Sequence, residues 1–191
     1  YLSNKDKDYF GQTDLYVYSI RDSLSTKLLG GVFSAPAWLN DSTIIFSKKS
    51  KPNKYGSRYY DLYMLQLNQK KKKPKRLTYD LRLTSPSIDH KSNLLAAVEV
   101  EDGVSNIYIA SLDSIENLSF TKLTDFKKGE KIFSLSLIDN RILFDIVKDH
   151  TRDVFMYNLT DGSYTYIEDQ NWDDRDPFYY NENIIFSSDR S

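Results

Sequence analysis

The chain has 191 residues, with 26 Lys plus Arg against 27 Asp plus Glu, a formal charge of −1. A chain built mainly to hold nucleic acid is usually basic overall, so that class is disfavoured, and the lack of cysteine excludes disulfide frameworks, thiolate catalysis and cysteine-ligated metals. No stretch reaches the roughly 18 consecutive apolar residues of a membrane span, and a chain of this length buries enough surface to fold without covalent staples.

In chain order the elements form a repeat. Tyr1-Leu-Ser-Asn4 reads as the tail of one strand, with Ser3 in the place of Ser47 and Ser187. Asp14-Leu-Tyr-Val-Tyr18 is a strand of period-2 alternation, and it returns as Asp61-Leu-Tyr-Met-Leu65, Asn106-Ile-Tyr-Ile-Ala110 and Asp153-Val-Phe-Met-Tyr157, after steps of 47, 45 and 47 residues. We label this strand C. Strand D follows it as Arg76-Leu-Thr78 and Lys122-Leu-Thr124, with weaker copies at Lys27-Leu-Leu29 and Tyr166-Ile-Glu168. Strand A surrounds Pro36, Pro86, Ser134 and Pro177. Strand B is Ile44-Ile45-Phe46, Leu94-Leu95-Ala96, Ile142-Leu143-Phe144 and Ile184-Ile185-Phe186. The distance from the strand A anchor to the end of the strand B anchor is 10, 10, 10 and 9 residues. Asn, Asp and Ser fill the connections, as turn chemistry requires. No amphipathic helix of useful length is present.

Four short strands recurring every 45 to 47 residues select a β-propeller among all-β folds, because one four-stranded blade buries its faces only by stacking on the next. The expectation is therefore all-β: four blades of four antiparallel strands in one propeller segment, with repeats at 4–47, 48–97, 98–144 and 145–188. Both ends of the chain fall in one register of the repeat. That favours a part of a six- to eight-bladed propeller over a closed four-blade ring.

The matching stretches Arg76-Leu-Thr78, Ser85-Pro-Ser87, Ile185-Phe-Ser-Ser-Asp-Arg190 and Asp14-Leu-Tyr-Val17 resemble the WD40-like repeats of the TolB β-propeller family, which is related to propellers found beside peptidases. The Ser-Pro-Asp-Gly hairpin usual in that family is absent from all four repeats. The resemblance implies a non-catalytic module that binds a protein or peptide in an extracytoplasmic, periplasmic bacterial setting. It needs no cofactor, does not insert into a membrane, and takes the remaining blades of its own protein as a further partner. The alternative it implies is a propeller that gates substrate for a larger hydrolase whose catalytic domain lies outside these residues.

The residues themselves offer little chemistry. His90 and His150 lie 60 residues apart in separate connections, without metal-ligand spacing. No Gly-x-Ser-x-Gly elbow is present. The acidic group Glu168, Asp169, Asp173, Asp174 and Asp176 is the one weak candidate for a hard cation, with a solvated loop as the plainer reading; Asp176 is also the main strand A carboxylate for a carbohydrate-active propeller. The basic run Lys70-Lys-Lys-Lys73, Pro74, Lys75-Arg76 reads as a C–D hairpin tip. Asp14, Asp61, Asn106 and Asp153 recur at one position and are expected to hold backbone at the entry to strand C. Tyr16, Tyr63 and Tyr108 are expected to pack between blades. The long B–C loops, 5–13 and 48–60, carry Tyr9, Phe10, Tyr55, Arg58, Tyr59 and Tyr60. Tyr and Arg favour binding hot spots, so Tyr9, Phe10, Tyr55, Arg58 and Tyr59 are the candidate binding residues.

Overall fold

The computed structural model describes residues 1–5, 7, 8, 11–167 and 172–190. Among them every regular element is a β-strand, and no helix is long and apolar enough to cross a membrane. The chain forms two compact units, Tyr1–Pro86 and Ser87–Ser191.

The first unit opens with a three-stranded sheet, β1 (Leu2–Ser3), β2 (Asp14–Ser19) and β3 (Leu24–Gly30). A four-stranded sheet follows: β4 (Ala37–Asn40), β5 (Thr43–Lys49), β6 (Tyr60–Gln66) and β7 (Lys75–Arg76). Strand β8 (Leu83–Asp89) carries the chain from the first unit into the second. It heads a sheet with β9 (Leu94–Glu101), β10 (Val104–Ser111) and β11 (Thr121–Lys122). The second unit adds β12 (Lys131–Ile138), β13 (Arg141–Lys148), β14 (Thr151–Asn158) and β15 (Tyr164–Tyr166), then the pair β16 (Asp174–Tyr180) and β17 (Asn183–Ser188). Each complete sheet is thus an A–B–C–D meander, the form of a propeller blade. The expected four sheets of four are three sheets of four, one of three and one of two.

The tight turns carry the chemistry their geometry demands. Asp139-Asn140 (φ +46°, +58°), Asp102-Gly103 (+49°, +82°) and Asn181-Glu182 (+45°, +64°) place both central residues in the left-handed region. Such pairs match the twist of the flanking strands. Elsewhere Asn40 caps its own turn, its side-chain oxygen accepting from the Ser42 amide at 3.0 Å.

Strand B reads as a continuous apolar run because it is buried on both faces. Residues Thr43 through Ser47 of β5 are all buried, as are Ile142 through Ile146 of β13. In the first unit Ile44 and Phe46 join Leu15, Val32 and Leu65 in one cluster. In the second, Ile142, Phe144 and Ile146 join Val98, Ile107, Ile132 and Leu137. The strand C aromatics find their ring partners inside their own sheet. Tyr63 stacks on Phe46 at 6.1 Å and Phe155 on Phe144 at 5.6 Å, each pair directly opposite in the ladder. Tyr63 also packs against the cluster that holds Leu15 of the neighbouring sheet, the packing between blades expected of it.

The register corrects two sequence matches by one residue. Leu2 lies opposite Leu15 as Ser47 lies opposite Leu62, so Leu2, not Ser3, holds the Ser47 position. Gly30 lies opposite Asp14, so Leu29-Gly30 is the copy of Leu-Thr in the first sheet, displaced by a bulge at Leu15/Tyr16. A Cβ on Gly30 would sit 2.8 Å from the Asp14 carboxylate, so a larger residue there requires that carboxylate to move.

The repeated acid or amide of strand C is a clasp. Asp61 Oδ1 accepts from the Thr78 hydroxyl at 2.9 Å, and the Leu62 amide donates back to that hydroxyl at 2.9 Å. Asn106 and Thr124 repeat both bonds, at 3.0 and 2.9 Å. The carboxylate or amide oxygen also takes backbone N–H groups beyond strand D: Asp80 and Leu81 on Asp61, Phe126 on Asn106. This is the backbone-holding role expected from the repeat. Asp14 lacks the threonine and takes Lys27 and Lys7 instead, Lys7 at 3.3 Å. Asp153 accepts from the Thr151 hydroxyl at 2.8 Å.

Candidate functional site

The B–C connection of the first complete sheet is the most built loop of the first unit. Asn53 organises it: its side-chain oxygen accepts from the amides of Tyr55 (2.9 Å) and Ser57 (3.0 Å). Its own amide donates to the Ser57 carbonyl at 2.8 Å. Gly56, at φ +80°, makes the turn that a side chain would strain. Below it the buried Ser50 closes the loop, its amide donating to the Tyr59 carbonyl and its carbonyl accepting from Arg58 Nε at 3.0 Å. Arg58 is thereby held by its inner nitrogen.

This loop borders a cleft of about 450 Å³ lined by Gly11, Gln12, Thr13, Gly31, Val32, Phe33, Lys48, Lys49, Arg58 and Tyr60. Phe33 and Tyr60 form its aromatic wall, ring centroids 4.5 Å apart. The Lys49 ammonium lies 5.3 Å from the Tyr60 ring, and Lys48 Nζ donates to the Gly30 carbonyl at 2.7 Å. Burial raises the Tyr60 phenol above its ordinary pKa. None of the lining side chains is acidic.

The cleft gathers some of the expected binding residues and not others. Arg58 lines it and Tyr60 begins β6 on its wall. Tyr55 is exposed at the loop tip with Lys54 over its ring, and Tyr59 stacks instead under the Arg82 guanidinium at 4.7 Å. Tyr9 and Phe10 lie outside the described residues. Phe33 carried no signal as a site in the sequence; Lys48 and Lys49 fall within the flagged span 48–60 without being singled out, and the structure places them at the end of β5.

The remaining candidates separate. Lys70 through Lys73 are exposed between β6 and β7, so the basic run is a hairpin tip. Asp174 is buried and accepts from Arg190 with both oxygens, at 3.2 and 3.0 Å. Asp173 pairs with Arg175 at 3.2 Å, and Asp176 lies 3.8 Å from Arg152. Glu168 and Asp169 lie outside the described residues. Among the described residues no group of three His, Asp or Glu side chains gathers as a metal ion would need. His90 lies in the turn between β8 and β9. His150, in the turn between β13 and β14, lines a hollow with Lys128, Glu130, Lys148 and Asp149.

Asp145 was not singled out in the sequence, yet it is fully buried and takes four donors. The Ser134 amide and hydroxyl donate at 3.0 and 2.9 Å, Arg152 at 2.8 Å and the Asp176 amide at 2.7 Å. It ties the bulge of β12 to that of β16. A hydroxyl version stands at the same register position in the first unit. There Ser47 bonds Ser34 at 2.7 Å, and Ser34 accepts from the Ser85 amide at 2.8 Å. Ser85 and Asp176 share a left-handed backbone, φ +49° and +52°. A lone acid inside the apolar run from Ile142 to Val147 was the available signal. Asp145 is structural: its acceptor capacity is occupied by the scaffold.

Meandering four-stranded sheets of this form are those of the β-propeller class, and the chain is TolB-like in its fold. Over 92% of its length it is similar to the crystal structure of TolB from Acinetobacter baumannii (TM-score 0.67, 15% identity), of which that covers 41%. Over 94% it is similar to the β-propeller domain of the Trilobed protease from Pyrococcus furiosus (TM-score 0.63, 10% identity), covering 53% of that chain. Over 93% it is similar to Pyrococcus horikoshii acylaminoacyl peptidase (TM-score 0.63, 14% identity), covering 27% of it. The chain therefore spans about a quarter to about half the length of these structures. No protein-family model matches the sequence, and no curated protein matches it.

Proposed function

We propose that this chain is a non-catalytic β-propeller module that binds a protein or peptide, with the cleft bordered by residues 11–13, 31–33, 48, 49, 58 and 60 as its contact surface. One observation carries the reading: a concave site with an aromatic pair and three cations, bordered by a loop that its own hydrogen bonds tie together. Rigid aromatic and Arg anchors in a pocket are the usual centre of a binding surface. The likeness to TolB supports the same role and an extracytoplasmic, periplasmic setting, with further blades of the same protein as an additional partner. The test is panning of a random peptide display library on the chain and on Phe33→Ser. Phe33 is 54% exposed, so its loss spares the core. Enrichment on the chain that disappears on the variant is expected; no enrichment, or equal enrichment on both, contradicts the proposal.

A second reading has its own support. The fold is also that of peptidase propellers, of which this chain spans only a part. In that case the module gates or orients substrate for a hydrolase domain elsewhere in its protein. A Gly-x-Ser-x-Gly or His-Glu-x-x-His domain in the flanking reading frame establishes it, and a frame holding only further blades removes it.

A further inference from the structure

We infer that the cleft of the first unit recognises a peptide through a carboxylate, with a neighbouring flat or apolar residue laid on the Phe33–Tyr60 wall. The inference rests on the peptide-binding reading and names the chemistry of its ligand.

The charge around the cleft is the first observation. Lys48, Lys49 and Arg58 line it and no acidic side chain lines it with them; Asp61, opposite Lys48 in the ladder, is engaged by Arg76 and Thr78. Among the described residues none of the three makes an ion pair. Three other cations of the unit are spent on acids: Lys7 and Lys27 on Asp14, Arg76 on Asp61 and Asp80. The hollow of the second unit mixes signs, Lys128 and Lys148 with Glu130 and Asp149, and asks for no counter-ion.

Geometry is the second. The bond from Arg58 Nε to the Ser50 carbonyl fixes the guanidinium, and among the described residues nothing bonds its two terminal nitrogens, the fork that meets a carboxylate bidentately. The bond from Lys48 to the Gly30 carbonyl uses one of three ammonium donors. The ligand completes these partial sets. A peptide is favoured over a polynucleotide because the cations sit in one concave spot beside a single aromatic pair. A phosphate backbone is instead followed by a track of cations with successive stacking platforms.

Fluorescence polarisation on the chain tests this with three labelled hexapeptide pools of random flanking residues, each carrying one Phe. The first has an internal Glu and an amidated end, the second Gln in its place, and the third Gln with a free C-terminal carboxylate. Either the first or the third pool is expected to bind about tenfold or more tighter than the second, which also tells side-chain from terminal carboxylate. Arg58→Gln and Lys49→Gln are each expected to remove most of that margin without moving the melting temperature, while Lys73→Gln at the hairpin tip leaves it intact. Equal binding of all pools, or a margin untouched by Arg58→Gln, overturns the carboxylate inference while the panning result keeps the peptide-binding reading. Tighter binding of an oligothymidylate than of any pool overturns it in favour of nucleic acid, and no binding by any pool overturns it outright.

Discussion

The Thr78 hydroxyl donates to Asp61 at 2.9 Å and accepts from the Leu62 amide at 2.9 Å, and with the Leu77 amide on the Leu62 carbonyl this continues the join of strand C to strand D past the β6–β7 ladder. Asp61 is fully buried and also accepts from Arg76 at 2.6 Å. Asp61→Ala leaves a hydroxyl, a guanidinium and two amides short of an acceptor. Unmet buried donors are expensive, so the expected loss is about 2–4 kcal/mol. Thr78→Val costs about 1–2 kcal/mol. Urea unfolding of the two single variants and the double should show coupling, the double losing less than the sum. A loss below about 0.5 kcal/mol for Asp61→Ala would mean the clasp is ornamental.

Asp145 faces donors on every side. Asp145→Asn turns an acceptor oxygen into N–H groups that point at other donors. We expect this near-isosteric change to cost about 3 kcal/mol, against about 1 kcal/mol for Ser134→Ala, which removes one of the four bonds. Thermal unfolding followed by circular dichroism reads both. Equal effects would show that the carboxylate's charge and its other three bonds contribute nothing.

Acid stability reports on Asp14. Burial pushes its carboxyl up, but hydrogen bonds and charge from Lys27 and Lys7 outweigh burial and hold it below the ordinary carboxylate range. Its folded pKa therefore lies below the unfolded value of about 3.9. The stabilisation is complete above that value and is lost as pH falls through the folded one. Lys27→Met removes part of the opposing pull, so the folded pKa rises toward the unfolded value and the acid limb, which still begins near the unfolded value, becomes shorter and shallower. Unfolding free energy measured from pH 2 to pH 6 should show a smaller loss across that range in the variant; parallel curves would contradict it.

The rigidity of the 50–59 loop is separable from the stability of the fold. Asn53→Ala removes two bonds inside an exposed loop and should cost the global stability no more than about 1 kcal/mol. It should speed amide exchange at Tyr55 and Ser57 and weaken selected peptides several-fold, because Arg58 loses its fixed frame. Unchanged exchange at those amides would show that Asn53 is not the organiser.

Much of the blade plan was legible in the sequence because it is local: period-2 alternation in strand C, doubly buried runs in strand B, and turn residues between them. The clasp was half legible, since the recurring acid and the recurring Leu-Thr both stand out, but that they bond each other depends on ladder register. Register also hid Leu29-Gly30, where a bulge shifts the count by one. The cleft was least legible. Lys48, Lys49, Arg58 and Tyr60 all fall in the flagged span 48–60, but Phe33 reaches the site through the approach of the segment before strand A to β5, at the Val32–Lys48 bridge, which spacing along the chain does not encode. Asp145 shows the converse case, a charge in an apolar run whose meaning appears only when the bulges of β12 and β16 are seen around it.

The central claim is that the first-unit cleft is the binding surface. Amide chemical-shift mapping of the isotopically labelled chain with a panned peptide tests it most directly. The account predicts shifts concentrated at Gln12, Thr13, Phe33, Lys48, Lys49 and Tyr60, absent in Phe33→Ser. Shifts concentrated instead around Lys128, Glu130 and His150, or spread evenly over both units, would contradict it.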